Sequence, residues 1–228
     1  MSRWQRLLPI VAVLGCSGLD EGDGGVVALE VDVPVPPNVE VGDTLRLHAT
    51  ALDANGDPVD AAITWQAADS TLTVNATGLV TGVSPGNGRV QAREGSLASN
   101  LVTLSVIARA DTLLLVGDSI RTIPTGTETS GDLVTELRTF TPDGPVATRP
   151  VIYAITYPVA GTTPGVTLSS GAQTDTANTG ADGTVTGVQL VRVEGQPPVD
   201  SAVVTVRAER TRGAPVPGSG QRFVIRFE

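Results

Sequence analysis

From Val26 onwards the chain alternates apolar and polar residues in short runs, each cut off by glycine, proline, asparagine or aspartate. In TLRLHATAL (44–52), Leu45, Leu47, Ala49 and Ala51 fall on one face and Arg46, His48 and Thr50 on the other. That period of two predicts a half-buried strand. DANGDPV (53–59) follows, and its Asn55-Gly56 pair tolerates positive φ and predicts a turn. AAITWQA (61–67) predicts the next strand, with Ile63 and Trp65 sharing a face. GLVTGVSPGNGRVQAREG (78–95) gives two more runs punctuated by glycine, and NLVTLSVIA (100–108) closes the first half. In the second half SAVVTVRAE (201–209) and RFVIRFE (222–228) are strand-like. No segment sustains a helical period with caps, so the pattern predicts an all-β protein with strand spacing that suits sandwiches.

Composition sharpens this picture at three points. Gly 26 and Pro 16 against 3% aromatic residues fit many short strands joined by tight turns. The net charge is −9 and all 15 basic residues are arginine, with no basic cluster on any segment, so no nucleic-acid partner is expected. The N-terminus carries Arg3 and Arg6, an apolar run from Leu7 to Leu14, and then Gly15-Cys16. That run is shorter than the roughly 18 residues a membrane span needs but suits the core of a signal peptide.

Val13-Leu14-Gly15-Cys16 resembles the lipobox of bacterial lipoproteins. The resemblance implies cleavage before Cys16 and a lipid on its thiol, which makes the membrane a partner through that residue. Cys16 is the chain's single cysteine, so no intrachain disulfide can form. Residues 1–15 are therefore expected to be a signal peptide and 16–25, with SGLDEGDGG, a flexible tether.

VEVGDTLRLHATALDANGDPV, then ITWQAADSTLTVNATGLVTGVSPGNGRVQA and LVTLSV, resemble a bacterial immunoglobulin-like repeat of group 2 over residues 26–107. The shared features are a Gly-Asp start, a D-x-N-G turn, a tryptophan before a Ser/Asp segment and a G-L-V-T-G-V run. The resemblance implies a small β-sandwich on an extracytoplasmic protein such as an adhesin or envelope protein, usually without catalysis. Residues 108–228 repeat the plan more loosely. TPDGPV echoes ANGDPV, VIYAI echoes ITWQA, DGTVTGVQL echoes TGLVTGVSP, and VGDSI at 116–120 is read as an echo of VGDTL at 41–45. This half is similar to the group 1 domains of invasin-type proteins, from which its longer stretches at 157–182 and 210–220 depart. The expected fold is two tandem immunoglobulin-like β-sandwiches, with the boundary near Ile107–Asp111.

Four candidate sites need weighing. Gly117-Asp118-Ser119 after an apolar run resembles the nucleophile motif of GDSL-type hydrolases, which requires a histidine base near the C-terminus. The chain has one histidine, His48, in the other half, so Ser119 reads as a strand-flanking residue. Gly82-Val83-Ser84-Pro85-Gly86 fits a nucleophile elbow in letters only, because the elbow turns a strand into a helix and none is predicted. Asp53, Asn55 and Asp57 resemble the start of a calcium loop but lack its sixth-place glycine and twelfth-place glutamate, leaving them weak calcium candidates. A turn that caps its own backbone suits them better. His48 lacks ligand partners; Trp65 is expected in the core, and Tyr153 and Tyr157 in a core or rim.

No catalytic, metal or cofactor site is expected. The chain reads as a non-catalytic lipoprotein of the bacterial cell envelope, anchored at the outer membrane through Cys16. It would present its modules for adhesion to an unknown protein or glycan partner. The alternative is a periplasmic or surface accessory subunit of an envelope complex; a hydrolase or carbohydrate-binding protein ranks third.

Overall fold

A computed structural model describes residues 25–124, 126–158, 165–196 and 199–228. The signal-peptide, tether and Cys16 expectations fall on residues 1–24 and so lie outside the described residues. Every described element is a strand, and no described helix is long and apolar enough to cross a membrane.

The first half contains β1 (Ala28–Asp32), β2 (Asn38–Glu40), β3 (Thr44–Arg46), β4 (His48–Leu52), β5 (Pro58–Val59), β6 (Thr64–Ala67), β7 (Leu72–Val74), β8 (Leu79–Gly82), β9 (Gly86–Glu94), β10 (Leu97–Ala98) and β11 (Val102–Ile107). One layer has the order β10-β9-β11-β2, with β6 also on β9. The other is built from β1-β4-β5 and β3-β8-β7, where β3 and β4 are one run interrupted at Leu47. Leu45, Leu47 and Ala51 are buried and Arg46, His48 and Thr50 exposed, as the alternation requires. Val39, Leu72, Val80, Val90 and Leu104 fill the space between the layers. Trp65 is half-buried and joins this cluster to a smaller one around Leu29, Ala51 and Ala92.

The second half follows with β12 (Thr112–Leu115), β13 (Ile120–Ile123), β14 (Thr129–Asp132), β15 (Thr135–Phe140), β16 (Asp143–Pro145), β17 (Pro150–Tyr157), β18 (Val166–Leu168), β19 (Thr174–Asn178), β20 (Thr184–Val185), β21 (Gln189–Arg192), β22 (Ser201–Ala208) and β23 (Arg222–Phe227). A five-stranded sheet, β13-β23-β22-β17-β19, faces β12-β15-β16 and β14-β21-β18. Its own core gathers Leu113, Leu133, Leu137, Tyr153, Val204, Phe223 and Ile225.

The two halves share a strand plan. In each, the opening strand pairs antiparallel with a later one (β1 with β4, β12 with β15). The chain then crosses the sandwich, and the next strand pairs parallel with the last (β2 with β11, β13 with β23). This topology corrects one sequence echo. Gly42-Asp43 lies after the crossed strand β2, whereas Gly117-Asp118 lies before the crossed strand β13, inside the crossover itself. The counterpart of Gly42-Asp43 is Gly131-Asp132. The Asp43 carbonyl accepts from Gly82 N at 3.2 Å, and the Asp132 carboxylate accepts from Gly187 N at 3.0 Å. Gly82 and Gly187 are the middle residues of the matching T-G-V runs.

Tyr153 takes the place in β17 that Trp65 takes in β6. Its ring is fully buried and its hydroxyl bonds Thr135 Oγ1 at 2.6 Å. Burial pushes its hydroxyl pKa up to about 12, against a smaller opposite pull from Thr135. The folded state therefore favours neutral Tyr153, a contribution present below the unfolded value near 10 and lost as pH rises towards 12. A phenolate absorbance titration is expected to find one tyrosine still protonated at pH 11; full ionisation there without unfolding would contradict this packing.

Candidate functional site

The sequence-derived candidates are not brought together. Ser119 sits exposed in the bend before β13, and its carbonyl accepts from Val224 N at 2.7 Å. His48 is exposed at the start of β4, in the other sandwich. Ser84 lies in the turn from β8 into β9, a strand-to-strand connection in which Val83 N and Ser84 N both donate to the Thr71 carbonyl. Among the described residues neither serine has a histidine hydrogen-bond partner.

Asp53 is occupied by its own turn. Its Oδ1 accepts from Asn55 N at 2.8 Å and from Asp57 N at 2.9 Å. Those two bonds hold its carboxyl below the ordinary carboxylate value. Among the described residues no group of three or more His, Cys, Asp or Glu is placed to hold a metal ion. Asp53→Ala is expected to lower the thermal midpoint of the first sandwich, whereas added calcium should leave the wild-type midpoint unchanged. A calcium-dependent rise lost in Asp53→Ala would contradict this assignment.

The densest polar cluster is one that sequence reading missed, at the junction of the sandwiches. Glu40, the last residue of β2, is fully buried. Arg149, just before β17, is 8% exposed. Arg149 Nη2 donates to Glu40 Oε1 at 2.5 Å and to the Glu209 carbonyl at 3.2 Å. Thr211 N and Oγ1 donate to the same Glu40 oxygen at 2.9 and 2.7 Å, and Ala110 N approaches Oε2 at 3.4 Å. Burial pushes the Glu40 pKa up, but the bonds from Arg149 and Thr211 outweigh it and the net direction is down.

A second cluster flanks the first. Asp111 Oδ1 faces Arg109 Nε at 3.1 Å and Arg210 Nη2 at 3.6 Å, while Asp111 Oδ2 accepts from Phe140 N at 2.8 Å. Arg210 Nε donates to the Ala110 carbonyl and Arg212 Nη2 to the Asn38 carbonyl. Both groups of contacts draw on the stretch after β22. That stretch departs from the group 1 layout, and here it clamps the first sandwich.

Thr148, next to Arg149, has φ 60°, a strained value for a β-branched residue. Hydrogen bonds between Thr148 N and the Thr179 carbonyl, and between Thr179 N and the Arg149 carbonyl, hold it there. An open cleft of about 790 Å³ runs along the junction, between Asn38, Pro85 and Val106 on one side and Val146, Arg149 and Thr211 on the other.

Comparison with known proteins decides the nature of the first sandwich, since residues 31–102 match the family model of the bacterial Ig-like domain (group 2). Those residues are a bacterial Ig-like domain. A search of curated proteins finds no match. Among solved structures, the Yersinia pseudotuberculosis adhesin InvE is similar at 18% identity and a TM-score of 0.43, covering 90% of this chain. This chain spans 60% of that adhesin chain. Domains 4 and 5 of the S-layer protein SbsC align at 16% identity and a TM-score of 0.34, covering 89% of this chain and 98% of that one. The D00-D0 domain of intimin aligns at 17% and 0.29, covering 86% and 98%.

Proposed function

We propose that this protein is an exported, non-catalytic envelope lipoprotein whose two Ig-like sandwiches present a binding surface for adhesion or protein contact. The observation that carries the reading is the bacterial Ig-like match at residues 31–102, because that family implies extracytoplasmic sandwiches that hold and bind. Supporting it, Arg3, Arg6, the Leu7–Leu14 run and Cys16 give an export signal with a lipid acceptor. The likenesses to an adhesin and to S-layer domains agree with a surface setting and carry no weight of their own.

In mechanism the protein works by placement. Cys16 fixes the base, residues 17–25 give reach, and the clamp around Glu40 and Arg149 sets how the second sandwich follows the first. Binding free energy then comes from sheet faces, strand edges and end loops. The anchoring half of the proposal is tested by growing cells with labelled palmitate. Wild-type chain should carry label and sediment with membranes, while Cys16→Ser should carry none and appear in the soluble exported fraction. Label-free wild-type protein would overturn the anchor.

A further inference from the structure

The arginines from Arg121 onwards divide into two groups. Arg138, Arg149 and Arg210 pair with carboxylates, Arg212 bonds the Asn38 carbonyl, and Arg121 and Arg192 lie over the Phe223 and Phe227 rings. Arg207, Arg222 and Arg226 have no ion pair or side-chain hydrogen bond among the described residues. All three are exposed and all three project from one face.

That face is the outer side of β13-β23-β22-β17-β19, and the register maps it. One row runs Thr176, Ile152, Arg207; the next runs Thr174, Ala154, Thr205, Arg222. The third runs Val203, Val224, Ile120, and the fourth Ser201, Arg226, Thr122. Residues between these positions, such as Tyr153, Val204, Phe223 and Ile225, point into the core. Ile120 is 58% exposed on the face, and Val224 lies between Arg222 and Arg226 on β23.

Within the five strands no carboxylate takes an outward position, since Asp175 lies opposite core-facing Tyr153; exposed Glu209 and Glu228 follow two residues after Arg207 and Arg226, just past the ends of β22 and β23. In a chain of net charge −9, a solvated face would be expected to mix both signs. This face instead holds an apolar row edged by the unpaired guanidiniums of Arg222 and Arg226, with Arg207 two rows away beside Ile152. Apolar centre, polar rim and enriched arginine are the anatomy of a protein–protein contact. A polyanionic glycan would call for continuous positive charge and stacking rings, and among the described residues the one exposed aromatic ring beside the face is Tyr157 at its corner.

We propose that the outer face of the five-stranded sheet docks an acidic protein segment, whose carboxylates pair with Arg222 and Arg226 on either side of the Val203–Val224–Ile120 row and with Arg207 two rows beyond it. Strand spacing and rise give the face roughly 600 Å², below the roughly 800 Å² each partner contributes to a standard interface. The contact is therefore weak singly and strengthened by many copies on one surface. The inference rests on the presenting role proposed above for its setting, but not on the lipid anchor.

The test uses the full chain, an acidic peptide that intersperses Glu with Val and Leu, and heparin as an anionic glycan. Backbone amide shifts are expected to move on β13, β17, β22 and β23 when the peptide is added, and binding should weaken as salt rises. The combined variant R207E/R222E/R226E, exposed throughout and so expected to fold, should weaken peptide binding by at least about tenfold, roughly 1.4 kcal/mol. The neutral variant R207Q/R222Q/R226Q, with its fold checked by circular dichroism, should fall between the two. Heparin binding in place of the peptide, shifts spread over other faces, no binding at all, or unchanged affinity in the charge-reversed variant would each overturn the proposal. A positive result with unlabelled Cys16 would keep the docking face while removing the anchor.

Discussion

Replacing Glu40 with alanine is expected to destabilise the protein by about 3–5 kcal/mol, because Arg149 would remain buried with no countercharge. Glu40 is fully buried and supplies the acceptor for Arg149 Nη2, Thr211 N and Thr211 Oγ1 at once. Removing it strands three donors together. Urea unfolding of wild type and Glu40→Ala measures the loss, and the second sandwich should open first because Arg149 and Thr211 belong to it. The double variant E40L/R149L should recover most of that stability, since a buried ion pair is often no more stable than apolar residues of similar volume. What it should not recover is the fixed relation between sandwiches, read by small-angle scattering as a broadened distance distribution. Among the described residues Arg149 Nη1 and Asn38 Oδ1 are buried with no protein partner.

The pH dependence follows from the same carboxyl. Its folded pKa lies below the ordinary 4.5, so the charged form is favoured by folding. The contribution is complete above the unfolded value and is lost as pH falls through the folded one. Glu40→Gln should therefore flatten the acid limb of the stability curve below about pH 4.5. An unaltered acid limb would show that other carboxyls govern it.

Substituting Gly78 or Gly183 with alanine is the second large effect, expected to cost about 2–4 kcal/mol from overpacking together with left-handed strain. Both glycines have φ of 78°. A Cβ on Gly78 would stand 2.6 Å from the Leu47 carbonyl oxygen and 2.9 Å from the Trp65 ring. A Cβ on Gly183 would stand 2.6 Å from the Leu137 carbonyl oxygen and 2.9 Å from Pro145. Leu47 N donates to the Gly78 carbonyl and Leu137 N to the Gly183 carbonyl, each at 2.9 Å. The same device thus fastens the same corner of both sandwiches. Calorimetry of each variant should lower the transition of its own sandwich, so equal shifts of both transitions would mean that the two unfold as one unit.

Much of this fold is legible in the sequence because it is written locally. The alternation of 44–52, the turn at Asn55-Gly56 and the G-L-V-T-G-V run each act through neighbours a few residues apart. The misplaced echo of VGDTL shows the limit. Gly-Asp before a strand looks alike wherever it occurs, and only the crossing from one sheet to the other separates Gly117-Asp118 from Gly131-Asp132. The junction was hidden for a similar reason. Glu40 ends an alternating run that reads as exposed, and its partner lies 109 residues away. The arginine face is half-legible, since R-F-V-I-R-F alternates visibly, but its register against β22 and β17 exists only once the sheet is assembled.

The central claim, that these sandwiches are held on the outside of the cell for contact, is tested most directly by protease shaving of intact cells. Wild type and Cys16→Ala are compared, with detection of the second sandwich. The account predicts that the wild-type module is cut while the outer membrane is intact, and that the Cys16→Ala protein is missing from the cell surface. A module protected until the outer membrane is broken would contradict surface presentation and place its partners in the periplasm.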